Sequence, residues 1–260
     1  GLCGMISDVT RERLVQMEAI HSSQLASIGE LAAGVAHEIN NPINGIINYA
    51  QMLKDMYPQD PEQESITSRI IKESDRVATI VRSLLSFSRK PGSQRTEISI
   101  RDVLDEVLNL CMAQLSRNSI SLNLDCPAGI SPVLANFTEI QQVFINLITN
   151  ARHALLDKSE EERTLTVTVR NIQGKNNQTM VRTSFLDHGV GIRHMDLKHI
   201  FDPFFTTKPS GQGTGLGLYL SRRIAREHQG DLLVESISGK QTLVHVDLPA
   251  ARGDAATHSP

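Results

Sequence analysis

Two regimes of hydrophobic patterning divide the chain. From about Glu12 to Arg89, apolar positions recur every three or four residues. Ile28, Leu31, Val35, Ile39, Ile43, Ile46, Ala50 and Leu53 lie on one helical face. Leu14, Met17, His21 and Gln24 extend that stripe upstream with weaker apolar character, as a connecting coiled coil does. Tyr57-Pro58-Gln59-Asp60-Pro61 interrupts it, because proline removes a backbone donor and restricts its predecessor. A second stripe runs through Ile66, Ile70, Val77, Ile80, Leu84 and Phe87. The pattern predicts an antiparallel helical hairpin. One stripe per helix is poorly buried within a single hairpin, so a homodimer joined as a four-helix bundle is expected.

Lys90-Pro91-Gly92-Ser93 has the composition of a linker, and beyond it the pattern becomes mixed. Ser99 with Asp102 opens a helix through Val103, Leu104, Val107 and Leu108. Ile120, Leu122 and Leu124 alternate as a strand, and Val133–Ala135 reads as a short one. Asn136 with Glu139 caps a helix running to about Leu156. Thr164–Arg170 and Met180–Leu186 alternate as strands around a turn at Gly174–Gln178. A helix follows Gly217 to about His228, then strands near Asp231–Glu235 and Thr242–Leu248. Strands and helices without regular βαβ alternation predict an α/β sandwich with a mixed sheet.

Composition narrows the class. With 40% apolar and 21% charged residues the chain is globular rather than disordered. Without Trp and with few aromatic residues, its cores must be built from Leu, Ile, Val and Ala. A net charge of −3 argues against a nucleic-acid partner. Cys3, Cys111 and Cys126 are scattered and odd in number, which fits a reducing compartment and gives neither a disulfide framework nor a metal site. No apolar run approaches the ~20 residues that span a bilayer. A cytoplasmic piece is therefore expected, with a membrane anchor elsewhere in a longer protein left open. The start at Gly1 suggests a fragment with its sensor upstream, and Gly4–Thr10 resembles the end of a PAS sensor domain.

Candidate chemistry begins at Gly34-Val35-Ala36-His37-Glu38-Ile39-Asn40-Asn41-Pro42. His37 is two residues from both Val35 and Ile39, roughly 200° around the helix from the buried stripe, so its imidazole faces water. Asn41, one turn on, shares that face, and Glu38 is the neighbouring carboxylate. An exposed His beside a carboxylate and an amide reads either as a nucleophile with helper groups or as an incidental solvated side chain.

Four further blocks follow in order. Asn146 and Asn150, four apart, interrupt an otherwise apolar helix, and an amide oxygen is a hard neutral ligand suited to Mg²⁺. Asp187-His188-Gly189-Val190-Gly191 follows a strand. Its carboxylate is placed to accept from an exocyclic amine, and Gly189 and Gly191 allow the backbone close to a planar base. Phe201-Asp202-Pro203-Phe204-Phe205 gathers three rings expected to pack and pin the next loop. Gly211-Gln212-Gly213-Thr214-Gly215-Leu216-Gly217 leads into a helix, where free N–H groups and the dipole favour phosphates. It lacks the Gly-Lys-Ser/Thr of a Walker A loop, and no strand precedes it as a dinucleotide fingerprint requires.

The segment Gly34–Pro42 resembles the phosphoacceptor box of sensor histidine kinases. The four later blocks resemble the N, G1, F and G2 boxes of the Bergerat (GHKL) ATP-binding fold, shared with type II topoisomerases, Hsp90 and MutL. The resemblance implies a signalling helix or sensor end over 1–24, a dimerisation and histidine-phosphotransfer domain over 25–90, a linker at 91–95, a catalytic ATP-binding domain over 96–251 and a disordered tail over 252–260. It implies His37 as phosphoacceptor, Glu38 as its base, and Asn41 as the group orienting water for a phosphatase reaction. Asn150 is implied as the Mg²⁺ ligand with Asn146 beside it near the γ-phosphate, and Asp187 as the adenine contact. Gly189, Gly191, Phe204, Gly213, Thr214, Gly215, Leu216 and Gly217 would line ATP, with Lys208, in a lid over Thr206–Gly211, reaching phosphate. A response-regulator receiver domain is the implied partner. The hydrolysing relatives carry a glutamate where Asn146 stands, which favours transfer over hydrolysis here.

Overall fold

The computed structural model describes residues 39, 41–56, 60–88, 94–174, 177–209 and 213–251. The chain divides into two compact units, Gly1–Lys90 and Pro91–Pro260. His37, Glu38, the stripe upstream of Ile39, the linker at Lys90–Ser93 and the tail over 252–260 fall outside the described residues.

In the first unit, α1 (41–56) and α2 (Pro61–Ser88) form the hairpin. Asp60 starts α2: its Oδ1 accepts from the N–H of Glu62 at 3.0 Å and of Gln63 at 3.2 Å. Pro61, whose missing donor is no loss in a first turn, follows directly. Gln63 Nε2 donates to the Leu53 carbonyl at 3.2 Å, and Lys54 pairs with Glu64 at 3.4 Å across the two helices. The seam differs from the expected apolar stripes. Ala50, Thr67 and Ser74 are buried, whereas Ile46, Leu53, Ile66, Ile70 and Val77 remain exposed. Thr67 is tolerated inside because its Oγ1 donates to the Gln63 carbonyl at 2.8 Å. The side chains of Ile80, Leu84 and Phe87 lie outside the description.

The second unit contains a five-stranded sheet in the order β2 (Ser121–Asp125), β4 (Thr164–Gln173), β5 (Thr179–Asp187), β7 (Gln241–Pro249), β6 (Asp231–Ile237). Only β2 and β4 run parallel, joined by a crossover through β3 (Val133–Ala135) and α4 (Phe137–Leu156); the other pairings in this sheet are antiparallel. Strand β1 (Thr96–Ile98) pairs with β3 in a small separate ladder that the sequence pattern did not predict. Period-two alternation sends Leu165, Val167 and Val169 of β4, and Val244, Val246 and Leu248 of β7, into the core. The other face is polar: Arg182 makes a paired contact with Asp247 at 2.7 Å, and Ser184 meets His245 Nδ1 at 2.7 Å.

Helices α3 (Ile100–Arg117), α4 and α6 (Gly217–Glu227) form the second layer. Ser99 accepts from the Asp102 N–H, and Asn136 accepts from the Glu139 N–H at 3.0 Å, so both expected caps are present. Helix α4 packs on α3, α6, β4 and β5. Its buried stripe is Ile140, Val143, Phe144, Leu147, Ile148, Ala151 and Leu155. Each larger member contributes roughly 1.5–3 kcal/mol by burial, so packing outweighs propensity and cap together. Phe144 and Phe185, with ring centroids 5.3 Å apart and tilted 56°, tie the helix to β5. Replacing Asn136 with Ala is expected to cost ~1 kcal/mol, seen as a lower urea midpoint at unchanged slope, while Asn136→Asp retains the cap.

Candidate functional site

Three half-buried residues of α4, Asn146, Asn150 and His153, share one helical face beside the buried stripe. Asn146 Nδ2 donates to Ser221 Oγ at 2.8 Å, and Ser221 is only 1% exposed. The same amide lies flat on Gly217, where an added Cβ would meet its Cγ at 2.9 Å. Asn146 thus fastens α4 to the first turn of α6, a duty beyond the phosphate-side role the sequence implied.

Asn150 Oδ1 accepts from the Lys208 ammonium at 3.0 Å. Lys208 Nζ also stands 3.1 Å from His153 Nδ1, and Arg152 Nη2 stands 3.0 Å from His153 Nε2. Burial, followed by the Lys208 and Arg152 charges, pushes the imidazole of His153 down to about 4. Burial and Arg152 likewise lower Lys208 from its ordinary value. One buried donor here, Arg152 Nε, has no hydrogen-bond partner among the described residues. Two cationic groups, Lys208 on the Asn150 oxygen and Arg152 on the His153 ring, favour an anion nearby. Helical phase would have exposed His153, three residues after Asn150; Arg152, two residues on and about 200° around the helix, it would have missed.

Asp187 ends β5 and is 5% exposed. Its Oδ1 accepts from the Gly189 N–H at 3.0 Å. Burial pushes the carboxyl up to about 6, and the Gly189 bond only partly offsets that. The glycines beside it also meet the protein's own backbone. A Cβ on Gly189 would strike the Ala154 carbonyl of α4 at 2.6 Å, and one on Gly191, which has φ +66°, would strike the backbone of Ile237. They let the turn seat between α4 and the end of β6. Ser236 secures it, accepting from Ile192 N–H at 2.8 Å and donating to the Gln241 carbonyl at 2.8 Å. No sequence motif marked Ser236.

The second glycine turn is similarly tight. Gly213 abuts Thr206 Oγ1 and the Lys208 stem, while Gly215, at φ +67°, presses on the Phe204 backbone. Gly211 and Gln212 lie outside the described residues. Thr214 Oγ1 accepts from the Leu216 N–H at 3.4 Å, and Leu216 is buried. Helix α6 starts without a side-chain cap, so its first-turn N–H groups are available to an anion. The expected packing of three rings holds for two of them. Phe201 joins the core edge under the Arg222 guanidinium, 4.3 Å from its centroid, and Phe205 neighbours His199. Phe204 is 57% exposed with φ +66°: its backbone, not its ring, braces the turn. In the first unit Asn41 is exposed on α1.

The donor set fits a nucleotide and a hard metal. Asn150 Oδ1 already faces a cation, and the capless start of α6 and the cationic cluster suit phosphates. Among the described residues no cluster of three or more His, Cys, Asp or Glu could hold a metal, so a metal here would draw on an amide oxygen and ligand oxygens.

Comparison with known proteins agrees with this division. Residues 27–92 match the His Kinase A (phospho-acceptor) domain, and residues 135–252 match the histidine kinase-, DNA gyrase B- and HSP90-like ATPase family. The chain is 34% identical over 249 residues to the signal transduction histidine-protein kinase AtoS of Escherichia coli (strain K12), covering 96% of this chain and 39% of AtoS. It is 33% identical over 249 residues to the sensory histidine kinase/phosphatase NtrB of Rhizobium meliloti (strain 1021), covering 93% of this chain and 64% of NtrB. The crystal structure of histidine kinase ThkA in complex with response regulator protein TrrA aligns with a TM-score of 0.62 at 28% identity, over 95% of this chain and 69% of that one. The chain belongs to the sensor histidine kinases, with a helical hairpin of the phospho-acceptor type and a GHKL ATPase domain. It spans between 26% and 64% of the length of the curated relatives it matches. No described helix is long and apolar enough to cross a membrane.

The Asp187 geometry makes a stability prediction. A carboxyl raised in the folded state stabilises below its unfolded value near 4, and that contribution disappears as pH rises through about 6. The loss between pH 4 and pH 8 amounts to up to about 3 kcal/mol in all. Asp187→Asn, which keeps an acceptor for Gly189, is therefore expected to raise the thermal midpoint at pH 8 and to change it little at pH 4.

Proposed function

We propose that this chain is a protein histidine kinase that phosphorylates its own His37 from ATP and passes the phosphoryl group to an aspartate of a response-regulator receiver domain. The observation that carries this reading is the convergence of buried Asp187, Asn150, Lys208 and the uncapped start of α6 around one face of α4. That constellation suits the two ends of one ligand: a carboxylate for an amine-bearing base, and cations and N–H groups for a polyphosphate. Asn146 is an amide tied to Ser221, not a carboxylate, and this favours transfer to a side chain over activation of water.

In this reading Asp187 accepts from the adenine amine, and Lys208 and the α6 N–H groups hold phosphate oxygens. Asn150 holds Mg²⁺, which neutralises charge on the transferring phosphoryl oxygens when bound. Glu38 takes the proton from His37 as the ring nitrogen forms its bond to phosphorus and the γ-phosphate bond to the ADP leaving group breaks. Transfer onward breaks that N–P bond and forms an O–P bond on the receiver aspartate. Asn41, exposed on α1, orients water for the reverse duty of dephosphorylating the regulator. The exposed Ile46, Leu53, Ile66 and Ile70 supply the apolar surface for a second copy, giving a dimeric four-helix bundle.

Incubation with γ-labelled ATP and Mg²⁺ is expected to label the wild-type chain with an acid-labile phosphoryl group, and His37→Gln to carry none. Asn150→Ala and Asp187→Ala should lower the labelling rate roughly 100-fold. Full labelling of His37→Gln would overturn the assignment. Nucleotide affinity should weaken as pH falls through about 6, as protonation removes the negative charge of Asp187 and turns one of its oxygens into a donor.

A further inference from the structure

The contact between Lys208 and Asn150 has a chemical consequence that rests on the nucleotide reading above. Lys208 Nζ donates to Asn150 Oδ1 at 3.0 Å and approaches His153 Nδ1 to 3.1 Å. Arg152 Nη2 approaches the other ring nitrogen to 3.0 Å. A guanidinium has donors only, so Nε2 must accept and the proton of the neutral ring sits on Nδ1. Nδ1 then offers Lys208 no lone pair. The ammonium is left with one acceptor, Asn150 Oδ1, for its three N–H groups, and it makes no ion pair among the described residues. A cation held this thinly is easily displaced.

The oxygen that holds it is the one proposed to take Mg²⁺. A metal ~2.1 Å from Oδ1 would lie no farther from the ammonium than the sum of that bond and one hydrogen bond, with no carboxylate between them. The two cations repel each other there. An exit for the ammonium is already built. The Lys208 stem lies along the second glycine turn, where a Cβ on Gly213 would meet Lys208 Cδ at 3.1 Å, and the Lys208 N–H is held by Thr206 Oγ1 at 3.2 Å. The stem thus already runs beside that turn while its ammonium reaches Asn150.

We propose that Lys208 is a placeholder for the metal: its ammonium occupies Asn150 Oδ1 in the nucleotide-free protein and is exchanged onto phosphate when metal and nucleotide enter together. Loading the metal and clamping the phosphates are then one event. Lys208 is a positioning group for the empty site and a ligand contact in the filled one.

The test uses the full 260-residue chain labelled with ¹³C-lysine, with the Lys208 ε-CH₂ signal assigned by its loss in Lys208→Met. In the nucleotide-free protein Asn150→Ala is expected to shift that signal. Adding Mg²⁺ with a non-hydrolysable ATP analogue should shift it in the wild-type chain to a third position. Calorimetry on the same samples should give analogue binding about tenfold weaker in Lys208→Met, the loss of ~1.4 kcal/mol. An unmoved signal in nucleotide-free Asn150→Ala overturns the parked contact. A signal that stays at its nucleotide-free position while calorimetry reports binding overturns the exchange and leaves the nucleotide reading intact. Absence of any Mg²⁺-dependent binding sinks the nucleotide reading, and the exchange with it.

Discussion

The bond from Asn146 Nδ2 to Ser221 Oγ, with the amide laid on Gly217, sets how far α4 stands from the beginning of α6. A second pin acts at the opposite ends of the same two helices. The Asn136 N–H donates to His228 Nε2 at 3.0 Å, and His228 Nδ1 lies 2.8 Å from the Ile224 carbonyl. Contacts at both ring nitrogens fix the orientation of this buried imidazole. Between the two pins, α4 cannot slide along α6. The spacing between Asn150 and the uncapped first turn of α6, on which any phosphate site depends, follows from those polar contacts more than from the apolar stripe. Greasy packing fills the space; the amides and the imidazole fix the register.

Legibility from sequence followed the physics of each signal. Caps at Ser99 and Asn136 were readable because a short polar side chain followed three residues later by an acid has a local mechanism. The β4–β5 hairpin was readable because alternation and a turn sit next to each other in the chain. Strand order was not, since the parallel pairing of β2 with β4 is decided by a crossover and by which faces α4 can cover. Strand β1 buries one side chain, Ile98, and shows no alternation, whereas the equally short β3 buries Val133 and Ala135 and was readable. In the site, Asn146, Asn150 and Asp187 stood out as polar residues breaking apolar runs. Ser221 and Ser236 did not, because a serine announces nothing until a distant partner reaches it.

The glycines carry a different lesson. Their spacing is that of a ligand signature, yet at four of them the missing Cβ is required by protein: Ala154 against Gly189, Ile237 against Gly191, Phe204 against Gly215 and Asn146 against Gly217. The two readings are compatible, since a turn pressed this close to its scaffold holds its N–H groups at a fixed place. Rigidity of the cradle is bought by contact behind it. Asp187 shows the opposite trade: a buried carboxyl with one backbone donor is costly while ionised, and stability is given up to keep an acceptor in place.

The hairpin seam of Ala50, Thr67 and Ser74 has its own effect on how the protein behaves in solution. Among the described residues, small and hydroxyl-bearing side chains fill that seam while Ile46, Leu53, Ile66 and Ile70 stay exposed. The hydrophobic free energy of those exposed residues is realised only on meeting a complementary surface. By mass action, the helicity and melting point of the hairpin should then depend on protein concentration. Dilution becomes a structural perturbation, and abundance in the cell a determinant of how much of the hairpin is folded.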